Sequence, residues 1–142
     1  MKRMIEYHYE TDFELPDPDK HTEWIKKAIA SRGYGAEELR YIFCSDAYLL
    51  DINKRFLNHD YYTDIITFPE EGGGMRGDIF ISTERVSENA ELYGVPPDEE
   101  MRRVMIHGVL HLGGLTDATR EQQEEMRREE DALLELFHVK HG

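Results

Sequence analysis

Cysteine is nearly absent: Cys44 stands alone, so no internal disulfide can staple the chain. Long apolar runs are missing too, none approaching the roughly 20 residues that span a bilayer. The basic start Met1-Lys2-Arg3 leads into a polar stretch from Glu6 to Glu10 instead of the apolar core of a signal peptide. The expectation is a soluble, cytoplasmic protein with no membrane contact. Positive charge is scarce, with 17 Lys and Arg against 30 Asp and Glu and a formal net charge of −13. Such a surface repels polyanions, which argues against a nonspecific nucleic-acid binder held by counterion release. Repeats and low-complexity tracts are lacking. A chain of 142 residues suits one domain, residues 1–142, burying about 68–70% of its unfolded surface around one core.

What the chain does contain is the segment His107 to Asp117, HGVLHLGGLTD. Side chains at i and i+4 lie on one face of a helix, so His107 and His111 can point at the same ion. Pro96-Pro97-Asp98 offers a helix start, and Glu99 and Glu100 sit where the macrodipole favours carboxylates. Met101, Val104, Met105, Gly108 and Leu112 form an apolar stripe beside the histidines. Gly113-Gly114 ends the helix and lets Leu115-Thr116-Asp117 fold back, bringing Asp117 to the open side of the ion. Two histidines and one carboxylate leave a place for water, the pattern of a catalytic rather than a structural metal. A bare H-x-x-x-H pair often has no ligand; the glycine break and the carboxylate distinguish this one. The offsets match the metzincin pattern, with Asp117 where the third histidine stands. The glutamate that serves those proteases as general base is Gly108 here.

Elsewhere, Arg3 to Tyr9 reads as a strand, Asp17-Pro18 opens a helix running to about Ser31, and Gly33 closes it. Within it Trp24, Ile25, Ala28 and Ile29 have core spacing, and Trp24 is core rather than a platform for bases. Leu39 to Cys44 is a second strand, Asp46 caps a helix through about Phe56, and Ile65 to Phe68 and Asp78 to Ile81 are two further strands. The loop Pro69 to Gly77 joins them, its three consecutive glycines suggesting mobility. Thr83 to Tyr93 is a helix stopped by Gly94, and the last helix opens on a capping box, Thr119 with Gln122. Met126, Leu133 and Phe137 mark its buried stripe. Glu130 falls on that stripe, placed either to orient a metal-bound histidine or to pair with an arginine. The order β-α-β-α-β-β-α-α-α indicates an α+β domain, a small sheet packed with helices.

Three separated motifs, YTDIITFP (Tyr62 to Pro69), RGDIFIS (Arg76 to Ser82) and HGVLHLGG (from His107), resemble the YbeY family of rRNA maturation factors. The resemblance covers about residues 39 to 138. It implies an α+β fold with a mixed sheet and a zincin-like metal-binding helix, one zinc ion held by His107, His111 and Asp117, and single-strand-specific endoribonuclease activity. It further implies maturation of the 3′ end of small-subunit (16S) rRNA, ribosome quality control, and single-stranded RNA, the ribosome and ribosomal proteins as partners, with no DNA expected. Two departures stand out. The family's third ligand is usually a histidine, and Asp117 in its place favours a less acidic bound water and harder divalent ions. In INKRFL (Ile52 to Leu57), where the family usually carries an arginine that acts on RNA, this chain has Leu57, with Arg55, His59 and Arg76 as nearby substitutes. No catalytic residue is assigned beyond the metal ligands.

Other readings of the same residues are a metalloprotease lacking its base, a non-haem iron oxygenase, and a metal-stabilised ribosome-assembly factor that cuts nothing. The acidic balance fits RNA if a few basic side chains hold phosphate locally; Arg102-Arg103, Lys26-Lys27 and Arg127-Arg128 are the candidates, although such pairs are usually a solvated face. Thr63-Asp64 and Asp78 read as fixing strand register. His59 and Asp60 line the cleft only if their loop folds toward the metal. His8, His21, His138 and His141 have no metal-ligand setting.

Overall fold

The computed structural model describes residues 4–72 and 74–138; Arg3, Gly73 and His141 lie outside the described residues. The chain runs β1 (Ile5–Tyr9), α1 (Pro18–Ser31), β2 (Ala36–Cys44), α2 (Asp46–Leu57), β3 (Ile65–Pro69), β4 (Met75–Ser82), α3 (Thr83–Tyr93), α4 (Pro97–Leu112) and α5 (Arg120–Glu135), with a 3-10 turn at Leu136–His138. The sheet order is β1-β2-β4-β3. β1 and β2, and β2 and β4, are parallel, and β3 is antiparallel to β4, a mixed sheet as expected.

Alternation along the strands sorts the core. Leu39, Tyr41 and Phe43 of β2 lie in register with Gly77, Ile79 and Ile81 of β4, and all face α1, α4 and α5. Buried Tyr41 donates its hydroxyl to the Met105 carbonyl at 3.0 Å, fixing the sheet against α4. On the opposite face α2 lays Leu49 and Ile52 over Ile66, Phe68, Phe80 and Cys44. Burial pushes the Cys44 thiol up to about 12, so it stays protonated and inert at neutral pH. Trp24 is 2% exposed and its indole N–H donates to the Leu133 carbonyl at 2.8 Å, tying α1 to α5.

Several local readings change, among them the start of β2, at Ala36 rather than Leu39. The cap of α2 is Ser45, whose hydroxyl accepts the Tyr48 N–H, whereas Asp46 accepts from the Ser82 hydroxyl and from Arg85. Strand β4 starts at Met75, three residues earlier than its alternation suggests, because parallel pairing with β2 holds Met75-Arg76-Gly77 extended. The glycine-rich connection is correspondingly shorter. Asp17 occupies the position before α1 but caps with no side-chain bond; its carbonyl accepts the His21 N–H and lies 3.0 Å from His21 Nδ1.

Candidate metal centre

The second half of α4 carries the site. Pro97 takes the first helical position, where its missing N–H costs nothing, and Asp98, Glu99 and Glu100 occupy the first turn. Gly108 packs on the sheet: a Cβ there would stand 2.9 Å from Ile79 Cγ2 and 3.1 Å from Ile65 Cδ1. Position 108 therefore points at β3 and β4. A glutamate installed there would be driven into apolar side chains rather than toward the ligands, which removes the metzincin-type base on steric grounds.

His107 and His111 project from the next turns with ring centroids 4.5 Å apart. After Gly113 the chain turns through Gly114, at φ 105°, a conformation that favours glycine. The N–H groups of Gly113, Gly114 and Leu115 donate back to the carbonyls of Val109, His111 and Leu110. This closure delivers Asp117. Its two carboxylate oxygens lie 3.5 Å from His107 Nε2 and 3.5 Å from His111 Nε2. All three side chains offer ligand atoms within 4.8 Å of one another. Two ligands about 2.0–2.1 Å from one tetrahedral ion stand roughly 3.4 Å apart, so the donor set and its spacing fit a divalent cation.

A layer of charge lies behind the histidines. His107 Nδ1 is 2.6 Å from Glu130 Oε2 of α5. Glu130 is buried, and its other oxygen accepts from Arg103, which also donates to Asp131. Glu130 thus meets both the partners considered for it, a histidine of the candidate site and an arginine. Burial by itself lowers the His107 imidazole, but the bond to Glu130 and the charges of Glu130, Asp117 and Asp64 outweigh it, and the ring sits above its ordinary 6.5. Burial likewise raises Asp64 and Glu100, each by desolvation first.

Sequence reasoning treated Asp64 as a register residue. Its carbonyl does accept the Ser82 N–H, yet its carboxyl also acts on His107 and Glu130, which only the packing of β3 against α4 reveals. Arg103 was paired with Arg102 as a basic spot, but Arg103 is engaged by Glu130 and Asp131, and Arg102 is buried beside Asp98 with its guanidinium over the Phe137 ring. Of the substitutes for the family arginine, Arg55 pairs with Asp51 within α2, His59 stacks on Tyr61, and Arg76 lies in β4. His21 is buried between Trp24 and Phe137, and His8 and His138 are exposed. None of these histidines joins the cluster. Among the described residues no helix is long and apolar enough to cross a membrane.

Comparison with known proteins bears on the same residues. The profile of the endoribonuclease YbeY family matches residues 6–138. The chain is 48% identical over 138 residues to the endoribonuclease YbeY of Flavobacterium psychrophilum, covering 96% of this chain and 99% of that one. It is 47% identical to the protein of the same name from Christiangramia forsetii, with 97% of each chain covered. The counterpart from Bacteroides thetaiotaomicron is 45% identical over 90% of this chain and 96% of its own. In fold, the chain is similar to the solution structure of TM1509 from Thermotoga maritima, with a TM-score of 0.70, 23% identity, and 94% and 88% of the two chains covered. With three motifs in order, a mixed sheet backed by a histidine-bearing helix and near full-length similarity, the chain belongs to the YbeY endoribonuclease family.

Proposed function

We propose that residues 1–142 form one zinc-dependent endoribonuclease domain that cuts single-stranded RNA during maturation of the 3′ end of small-subunit rRNA and in ribosome quality control. The cytoplasm is its place of work, with the ribosome and ribosomal proteins as partners. The observation that carries the reading is the convergence of His107, His111 and Asp117, with His107 braced from behind by Glu130. The shared name of the relatives speaks for RNA cleavage over a purely structural role in ribosome assembly. The direction of position 108 speaks against a peptidase.

The residues divide the work. The Nδ1–H of His107 donates to Glu130, which fixes the tautomer and leaves Nε2 free as a ligand. Arg103 anchors Glu130 from its other oxygen, so the buried carboxylate has a cationic partner as well as the imidazole. Asp117 faces both Nε2 atoms and offsets part of the cation's charge. His107, His111 and Asp117 would hold the divalent ion, whose chemistry when bound would be Lewis acidity toward a phosphate oxygen and a lowered pKa for nearby water. Because the third ligand is a carboxylate, manganese or another harder divalent ion is the expected substitute for zinc.

Elemental analysis of purified protein beside the His111→Ala and Asp117→Ala variants, with cleavage of single-stranded RNA on the same samples, tests this. Near-stoichiometric metal and cleavage, both lost in the variants, are expected. Metal without cleavage in the unmodified protein overturns the enzyme, and absence of metal overturns the site.

A further inference from the structure

Between α2 and β3 the chain turns outward a run of rings that the metal centre does not use. Tyr61 and Tyr62 are 56% and 55% exposed, and His59 is exposed beside Tyr61. Large apolar rings massed at one place on a surface mark a contact site more often than chance.

These rings are held in place. Asn58 adopts a left-handed conformation at φ 56° that ends α2. Buried Asn53 anchors the loop twice: its side-chain amide donates to the Tyr61 carbonyl at 2.9 Å, and its carbonyl accepts the His59 N–H at 3.1 Å. The His59 and Tyr61 rings stack at 5.1 Å and 20°, with the hydroxyl 3.1 Å from the imidazole Nδ1. Tyr62 carries the Arg85 guanidinium 5.3 Å from its centroid, and Arg85 is itself pinned by Asp46.

The ledge borders the candidate metal centre. Tyr62 precedes by two residues Asp64, whose carboxyl acts on His107, and two residues of extended chain span roughly 7 Å. The next residue, Ile65, packs at Gly108, beside His107.

We propose that Tyr61 and Tyr62, with His59 stacked on Tyr61, stack against unpaired bases of single-stranded RNA next to the phosphate presented to His107, His111 and Asp117. The proposal rests on the endoribonuclease reading and supplies what it lacks. A chain of net charge −13 gains little from bulk counterion release, so an uncharged contact adds grip on RNA beyond what the metal centre and local basic side chains supply. Stacking is such a contact, worth roughly 5- to 150-fold in affinity per base, and indifferent to sequence. It also selects single strands, since bases within a duplex already have both faces covered.

The test is anisotropy of a labelled oligouridylate, read on rapid mixing with metal-loaded protein, for the wild type and for Tyr61→Ala, Tyr62→Ala and Tyr61→Phe. Each alanine variant should bind about fivefold or more weakly, and the phenylalanine variant should bind as the wild type does. An oligonucleotide with abasic positions should bind all four alike, which a merely structural role of the tyrosines would not produce. A Tyr61→Trp protein provides a second readout, its emission falling as bases stack on the new indole. Unchanged affinity in folded alanine variants, or no change in the tryptophan emission, overturns the ledge. Cleavage on the same samples keeps the two readings apart: RNA bound through the tyrosines but never cut removes the nuclease and leaves the ledge, whereas cutting with unaltered KM in both alanine variants removes the ledge and leaves the nuclease.

Discussion

At the scale of single residues, the strongest constraint on the metal centre sits outside its ligands. Glu130 serves two masters, His107 on one oxygen and Arg103 on the other, in a buried setting. Replacing it by Gln keeps the shape but exchanges a charged acceptor for a neutral one, so His107 loses the partner that holds its tautomer. Glu130→Gln is expected to weaken zinc binding about 10- to 100-fold, measured by chelator competition. Unchanged affinity would mean that the pair only ties α5 to α4. The convergence of the three candidate ligands was legible in the sequence because their spacing is local: four residues along a helix, then a glycine break. Asp64 and Arg103 were not legible as neighbours of the site, since their roles depend on β3 and α5 arriving from distant parts of the chain.

At the scale of elements, local punctuation again explains what could be read. Pro18 opens α1, Gly94 closes α3, and the box of Thr119 and Gln122 opens α5 as its sequence predicts, with Thr119 Oγ1 accepting the Gln122 N–H at 3.1 Å and the Gln122 side chain accepting from the Thr119 N–H at 3.0 Å. Thr119→Ala should cost about 1 kcal/mol, seen as a lower urea midpoint with an unchanged slope. Because α5 also carries Glu130, fraying from this end should leave metal affinity nearly intact unless it travels the whole way to that residue. Strand order and the true start of β4 were hidden for the opposite reason. Which strand lies beside which is decided by pairs such as Tyr41 with Ile79, whose partners no window of neighbouring residues contains.

At the scale of the whole molecule, acid response separates contributions of opposite sign. His21 is 4% exposed, and burial lowers its imidazole below the ordinary 6.5, with Arg102 and Lys20 adding to the effect against Asp17. Folded protein keeps that ring neutral while the unfolded chain takes up a proton, so this contribution to stability is lost as pH falls below about 6.5. His107 in metal-free protein works the other way, because its raised imidazole stabilises the fold at low pH and stops doing so as pH rises through its folded value. Comparing the metal-free wild type with His21→Leu isolates the first: between about pH 7 and about pH 5 the wild type should lose more unfolding free energy than the variant. Parallel curves would refute it.

The Tyr34 ring lies against Gly113, so that any side chain there would collide with it, and the turn beyond is closed by three consecutive backbone bonds. A segment from the far end of α1 thus acts as a doorstop for the end of α4. The turn that leads to Asp117 is held by contacts within the protein, and such contacts lower the entropy cost of ordering a ligand loop when an ion binds. Amide exchange at Gly114 and Leu115 should therefore stay slow after chelation, and ion uptake should be a single fast step without a conformational phase.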